Sequence, residues 1–258
     1  MKKIYIHTDL EGCSGIGRGE MVEKENPDYM FCVQRLMADV NAAIEGAFLG
    51  GADHVTVLDS HGGGGNFDMS LLDARAQYDP KENKKWWGML ENSYWGCFFI
   101  GAHAMAGTLN GFLDHTQCSK KIYNYFANNR KIGELGQWAM VSGHFEVPML
   151  MVSGDLCAIN EAVQFFDGVE TAVVKTGLSR LQASLLPPEE AENLIRHAAK
   201  KAVEKSIRPA PFKPLLPMEV KIEYTRGDYC DEVIKEGVER LDTRTARKIV
   251  DNYLDFWM

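Results

Sequence analysis

The chain is 258 residues long, and 28 lysines and arginines against 36 aspartates and glutamates leave a formal charge of −8. Apolar residues at 45% and charged residues at 25% are the balance of a folded globular protein with a proper core, while the spread of acids lacks the basic patch that a nucleic-acid surface needs. No apolar run nears the roughly 20 residues that span a bilayer, and Met1-Lys2-Lys3-Ile4-Tyr5-Ile6 enters a strand-like stretch without the long apolar segment of a signal peptide.

Lys3–Thr8 reads as a first strand, and it runs directly into the polar turn Asp9-Leu10-Glu11-Gly12. Pro27-Asp28 opens a helix, with Asp28 as candidate N-cap, and Val33, Leu36, Met37, Val40, Ile44 and Phe48 carry it at helical spacing to Gly50-Gly51. Residues 54–58 form a second strand ending in Asp59-Ser60-His61, followed by four glycines. An irregular loop at 78–95, with two adjacent tryptophans and several lysines, reads as exposed. Residues 97–100 are a third short strand, ending in Gly101-Ala102-His103. A helix near 134–142, a strand at 148–152, a helix at 158–166 and a strand at 171–175 continue the alternation, which predicts an α/β fold with a mostly parallel central sheet flanked by helices. Pro187-Pro188 starts a long helix reaching about Ile207. The proline-rich stretch 209–217 then leads to an alternating strand at Met218–Tyr224, and 243–257 reads as helical. The expected organisation is a catalytic domain at 1–180 and a smaller C-terminal α+β subdomain at 181–258 packing on it.

Three strands deliver Asp, Glu or His at their carboxyl ends, where sites form in open α/β sheets. Asp9 and Glu11, two apart on an extended segment, point to one face, and such a pair repels itself unless a cation lies between. Singly, each candidate has a plain structural reading: acids facing water, His61 and His103 as ordinary strand-end residues, His115 in a polar loop, Glu134 as a first-turn acid complementing a helix dipole. Together, two acids and two histidines at the ends of three strands make the N/O donor set of a zinc-type site. His7, His54 and His197 have no such placement. The glycines after His61 lack the GK[ST] of a phosphate loop, and Gly15-Ile16-Gly17-Arg18-Gly19 lacks dinucleotide-binding spacing. Six cysteines (Cys13, Cys32, Cys97, Cys118, Cys157, Cys230) without a CxxC pair read as reduced thiols in a cytoplasmic protein.

Thr8-Asp9-Leu10-Glu11-Gly12 resembles the SxDxEG opening of the zinc-dependent D-aminopeptidase family (the DppA-like peptidases of family M55). Asp59-Ser60-His61 resembles that family's second motif. Gly101-Ala102-His103-Ala104 with Thr108 and His115-Thr116 is similar to its third, Gly133-Glu134-Leu135-Gly136 to its fourth, and the stretch from Val147 to Asp155, with Lys175, Ser179 and Arg180, continues the match. The resemblance spans about residues 3–205. It implies two zinc ions held by Asp9, Glu11, His61, His103 and Glu134, His115 as the catalytic residue, and a homo-oligomer, a ring-like decamer in the family. The chain departs from the pattern at Thr8 (for Ser), at Met105 (where Arg is common), in the four glycines after His61 and in its C-terminal part. These touch the substrate side more than the metal side.

The function expected is a dinuclear zinc aminopeptidase that cleaves the N-terminal amide of short peptides or amino-acid amides, of D configuration by resemblance. The rivals are a related metal-dependent amidohydrolase or esterase on another small acyl substrate, and a non-catalytic oligomeric peptide-binding protein. Phosphatase or nuclease chemistry, which also uses two metals, fits the acidic surface less well.

Overall fold

The computed structural model describes residues 1–81 and 85–258. Its first sheet has seven strands: β1 (Lys3–Thr8), β2 (His54–Asp59), β3 (Gln77–Tyr78), β4 (Gly96–Ala102), β7 (Met149–Asp155), β8 (Glu170–Ser179) and β9 (Gln182–Leu185), in the spatial order β3-β2-β1-β4-β7-β8-β9. All neighbours pair in parallel except β9, which returns antiparallel on β8. The expected α/β class with a mostly parallel sheet is what forms.

The strands read as near-continuous apolar runs because both faces of the sheet are covered. On one face Ile4, Ile6, Val55, Val57, Phe98 and Ile100 pack under α1 (Tyr29–Leu49) and α4 (Pro188–Glu204). Those two helices approach so closely that a methyl group at Gly46 would lie 2.2 Å from the Arg196 carbonyl oxygen. Asp28 stands at the N-cap of α1, but its carboxylate takes the Arg18 guanidinium at 2.5 Å instead of a helix N–H.

On the other face Tyr5, Leu58, Cys97, Phe99 and Val152 meet α2 (Glu134–His144), α3 (Leu156–Phe165) and a second sheet. That sheet is antiparallel, ordered β11-β12-β10-β5-β6 from β5 (Ile122–Ala127), β6 (Arg130–Lys131), β10 (Met218–Tyr224), β11 (Glu239–Arg240) and β12 (Thr245–Val250), with a short α5 (Gly227–Asp231) after β10. It therefore draws strands from both sides of residue 180, as the first sheet draws β9 and α4 from beyond it.

The helix expected at 243–257 does not form. Residues 245–250 pair antiparallel with β10, burying Thr245, Ala246 and Val250, and only a 3-10 turn at Tyr253–Asp255 follows, capped by Asn252. Cross-strand partners decided this segment, not its local apolar spacing. The loop at 78–95 also differs from expectation: residues 82–84 lie outside the described residues, but Trp86 packs edge-on to Trp138 and Phe256, so its ring belongs to the core side.

At the carboxyl end of β4 the chain must pass beneath the Asp9 turn, and Gly101 does so at φ +82 with space for a Cβ only 2.1 Å from the Asp9 carbonyl oxygen. Gly51 has a similar φ of +91 but faces open space. Gly101→Ala is expected to destabilise the protein by at least ~3 kcal/mol and Gly51→Ala by about 1 kcal/mol, the left-handed penalty alone; urea unfolding midpoints of the two variants check the contrast.

Candidate metal centre

The turn after β1 is assembled by long-range contacts. Asp9 N–H donates to the Ile100 carbonyl (2.8 Å) and Gly12 N–H to that of Gly101 (2.9 Å), laying the turn across the end of β4. From below, the fully buried Lys175 of β8 donates to the carbonyls of Glu11 (2.6 Å) and Ile16 (2.7 Å). From α1, buried Asp39 accepts from the backbone N–H and hydroxyl of Ser14, at 2.7 and 2.6 Å. Burial pushes the Lys175 ammonium down to about 8 even with Asp39, Asp155 and Glu11 near.

His61 follows β2 and His103 follows β4. His115 lies on the return loop, and Glu134 opens α2, where the helix N-terminus favours a carboxylate. Gln117 N–H donates to Glu134 Oε1 at 2.6 Å. His103 Nδ1 donates to the Ala104 carbonyl (3.0 Å) and His115 Nδ1 to that of Leu113 (2.7 Å); a carbonyl only accepts, so both rings turn Nε2 towards the acids. The two rings stack 4.1 Å apart, 5° from parallel.

All six residues singled out in the sequence converge. His61 Nδ1 lies 3.0 Å from Asp9 Oδ1 and 2.9 Å from Glu11 Oε2. His103 Nε2 lies 3.3 Å from Asp9 Oδ2 and 3.5 Å from Glu134 Oε1, and His115 Nε2 lies 3.5 Å from the same Glu134 oxygen. Asp9 thus turns one oxygen to each side. Two donor groups result, Asp9–Glu11–His61 and His103–His115–Glu134, each with its donor atoms within 4.8 Å of one another.

Burial opposes charge on Asp9, Glu11, His61, His103 and Glu134, yet their charges persist by mutual attraction. Burial works against a protonated His61, but Glu11 and Asp9 outweigh it and lift its pKa to about 11. His103 is likewise carried well above the ordinary imidazole value against its burial, by Asp9 and Glu134. Burial and Glu11 push the Asp9 carboxyl up, and contact with His103 and His61 brings it below its usual value; Glu11 ends well below its own through His61, His103 and His115.

Buried acceptors without aligned donors test whether the residues suit a metal. Glu11 Oε2, although 2.9 Å from His61 Nδ1, is out of line for a hydrogen bond, and His103 Nε2 also has no aligned partner. One such atom in each donor group, Glu11 Oε2 in the first and His103 Nε2 in the second, together with the N/O donor set around it, fits zinc.

The remaining histidines stand apart. His7 is buried between Trp138 (ring centroids 4.0 Å) and Phe99 (4.5 Å), and burial followed by the Lys81 charge lowers its pKa to about 3. His54 begins β2 at the far end of the sheet, His144 closes α2, and His197 rides α4. The backbone role of Gln117 and the grip of Lys175 on the Glu11 carbonyl were not legible as such. The only trace of the first was adjacency to His115-Thr116; the second showed as a lone lysine in an apolar strand and as one of the positions that continue the family resemblance.

The centre opens into a cavity of about 640 Å³ between the two sheets. His7, Glu134 and Trp138 line one side, Ile222 and Tyr224 of β10 the other, and Gly62, Gly63 and Lys81 a third.

The D-aminopeptidase family matches residues 1–258. A curated D-aminopeptidase of Bacillus subtilis (strain 168) is 31% identical over 214 residues, covering 82% of this chain and 77% of that relative. A solved structure, described as the Zn-dependent D-aminopeptidase DppA from Bacillus subtilis, a self-compartmentalizing protease, superposes with a TM-score of 0.90 at 27% identity, over 98% of this chain and 93% of that one. From its first residue to its last, this chain belongs to the D-aminopeptidase family, a family of peptide hydrolases.

Proposed function

We propose that the protein is a zinc-dependent aminopeptidase that removes the first residue of short peptides or amino-acid amides of D configuration. Two zinc ions would be held by Asp9, Glu11, His61, His103 and Glu134, with His115 as the catalytic residue. The observation that carries this is the pair of adjoining donor groups, with the two oxygens of Asp9 facing His61 of one and His103 of the other. Kinship with an enzyme named Zn-dependent supports the choice of metal.

Zinc, when bound, supplies Lewis-acid polarisation of the scissile carbonyl and a lowered pKa for the attacking water. The chain's own residues do the rest. The Leu113 carbonyl holds the proton of His115 on Nδ1, leaving the Nε2 lone pair beside Glu134 and Glu11 to accept a proton from the water and return it to the leaving amine. Trp138 and Tyr224 line the cavity with apolar ring surface, which strengthens the electrostatics of charges beside it. All six residues belong to 1–180, and 181–258 supplies the β10 wall, which is the division of labour proposed for the two parts.

The relative's description as self-compartmentalizing supports a homo-oligomer, a decamer in our reading, and Leu109, Leu178 and Leu181, exposed at 86%, 60% and 57%, offer apolar surface for it. No helix among the described residues is long and apolar enough to cross a membrane. The cysteines of this chain are free, which agrees with the proposed cytoplasmic setting.

Chelation should abolish hydrolysis of D-Ala-D-Ala and Zn²⁺ should restore it, with elemental analysis reporting about two zinc ions per chain; metal-free protein of full activity would end the reading. The pH dependence has a definite sign. In the zinc-free protein His61 and His103 carry protons at pH 7, since their pKa values are raised, and zinc must displace them. Zinc affinity is therefore expected to rise with pH, with release of about two protons on binding, read by calorimetry in buffers of different ionisation enthalpy. His115→Ala should lower kcat by about 10²- to 10⁴-fold at unchanged zinc content; loss of zinc instead would make His115 a ligand beside His103. Light scattering should give a mass near ten times the 28.9 kDa chain.

A further inference from the structure

Four consecutive glycines follow His61, and the metal centre makes no use of them. Gly62, Gly63, Gly64 and Gly65 all lie at positive φ (+54, +90, +101 and +88), a backbone path that side-chain-bearing residues rarely follow. A Cβ at Gly62, Gly63 or Gly65 would meet nothing within 4 Å, so the run leaves open space beside His61, and Gly62 and Gly63 face the cavity.

Lys81 stands over this space. Its Nζ touches the Gly63 carbonyl at 3.3 Å and would be 3.7 Å from a Cβ on Gly64. The two carboxylates nearest in charge are committed elsewhere. Asp59 accepts from Asn66 N–H (2.6 Å), Asn66 Nδ2 (2.9 Å) and Phe67 N–H (3.2 Å). Asp79 accepts from the Tyr5 hydroxyl (2.6 Å), from Met89 N–H and from the backbone N–H of Lys81 itself (2.9 Å). The other lysine lining the cavity, Lys121, is paired with Glu232 at 2.6 Å. Among the described residues, Lys81 is thus the cavity's half-buried cation with no carboxylate within ion-pair distance.

We propose that Lys81, over the open floor made by the glycine run, binds the C-terminal carboxylate of the peptide substrate and selects short peptides with a free carboxyl end. The inference rests on the aminopeptidase reading. A substrate whose first amide bond lies at the acid–histidine cluster must send its remaining residues along the cavity. Past His61 the glycines offer room without side chains, and Lys81 ends that path with a positive charge that no carboxylate among the described residues pairs. A charge-assisted hydrogen bond in a partly water-excluded cleft is strong enough to discriminate a carboxylate from a neutral amide. Because the contact lies away from the scissile bond, it persists from ground state to transition state and acts on KM.

The test uses the zinc-loaded enzyme with D-Ala-D-Ala and D-Ala-D-Ala-D-Ala, each as free acid and as C-terminal amide. The unaltered enzyme is expected to favour the acid over the amide in KM by about 10- to 100-fold at one of these lengths. Lys81→Met should erase that preference by raising KM for the acid alone, with kcat, amide hydrolysis and zinc content unchanged, and Lys81→Arg should keep most of it. An acid-to-amide ratio near one in the unaltered enzyme, or a preference that survives in Lys81→Met, overturns the assignment. A preference that tracks a side-chain carboxylate (D-Ala-D-Glu amide over D-Ala-D-Ala amide) also overturns it. Hydrolysis of neither form removes the aminopeptidase reading itself, and this inference with it; amide hydrolysis that persists without acid preference removes this inference alone.

Discussion

Three carboxylates, buried Asp9 and Glu11 and half-buried Glu134, lie within reach of the same cluster of histidines, and most of the local architecture follows from the repulsion this creates. Like charges in a low-dielectric setting raise each other's pKa unless cations intervene, and the molecule supplies compensation at every level. His61 and His103 are held protonated in the zinc-free protein. Glu134 sits on a helix N-terminus and takes the Gln117 N–H, and the ammonium of Lys175 lies under the Asp9–Glu11 turn although burial disfavours its charge. Such a cluster is poised for divalent metal, since zinc replaces protons that are already required by charge.

The scaffold explains why so strained a cluster survives. The acidic turn is clamped by β4, β8 and α1 together, through backbone bonds to Ile100 and Gly101, the Lys175 ammonium and the Asp39 carboxylate. Each clamp comes from a different segment, so the turn cannot relax away from the repulsion without unpacking a sheet covered on both faces. Rigid elements that fix ligands before metal arrives are what a catalytic site requires.

The second sheet turns this cluster into a cleft. Its strands β10 and β5 supply Ile222, Tyr224 and Ile122 to the cavity wall, and Trp86 and Trp138 line the same cavity. Low local dielectric strengthens each charge inside it, the six centre residues and Lys81 alike. Gly62 and Gly63 of the glycine run beside His61, and Lys81, line the same cavity as Glu134.

The amino-acid sequence by itself determined the α/β alternation and the strand ends, and it offered each of the six centre residues as a candidate, gathered into one set by the family resemblance. Apolar runs and helical spacing are local properties, and a strand that delivers Asp, Glu or His at its carboxyl end announces a site before any contact is known. Only tertiary structure decided what depends on distant partners: that residues 245–250 form a strand because β10 accepts them, that β5 joins β10 across some ninety residues, and that Trp86 turns inward onto Trp138. The same holds within the centre. Which carboxylate oxygen faces which imidazole, the His115 ring stacked on His103, and the grip of Lys175 on a carbonyl 164 residues away are set by packing between elements that no local pattern encodes. The opening charge of −8 reads differently as a result, because its functional part is three acids brought together by folding, and their effect depends on position far more than on the total.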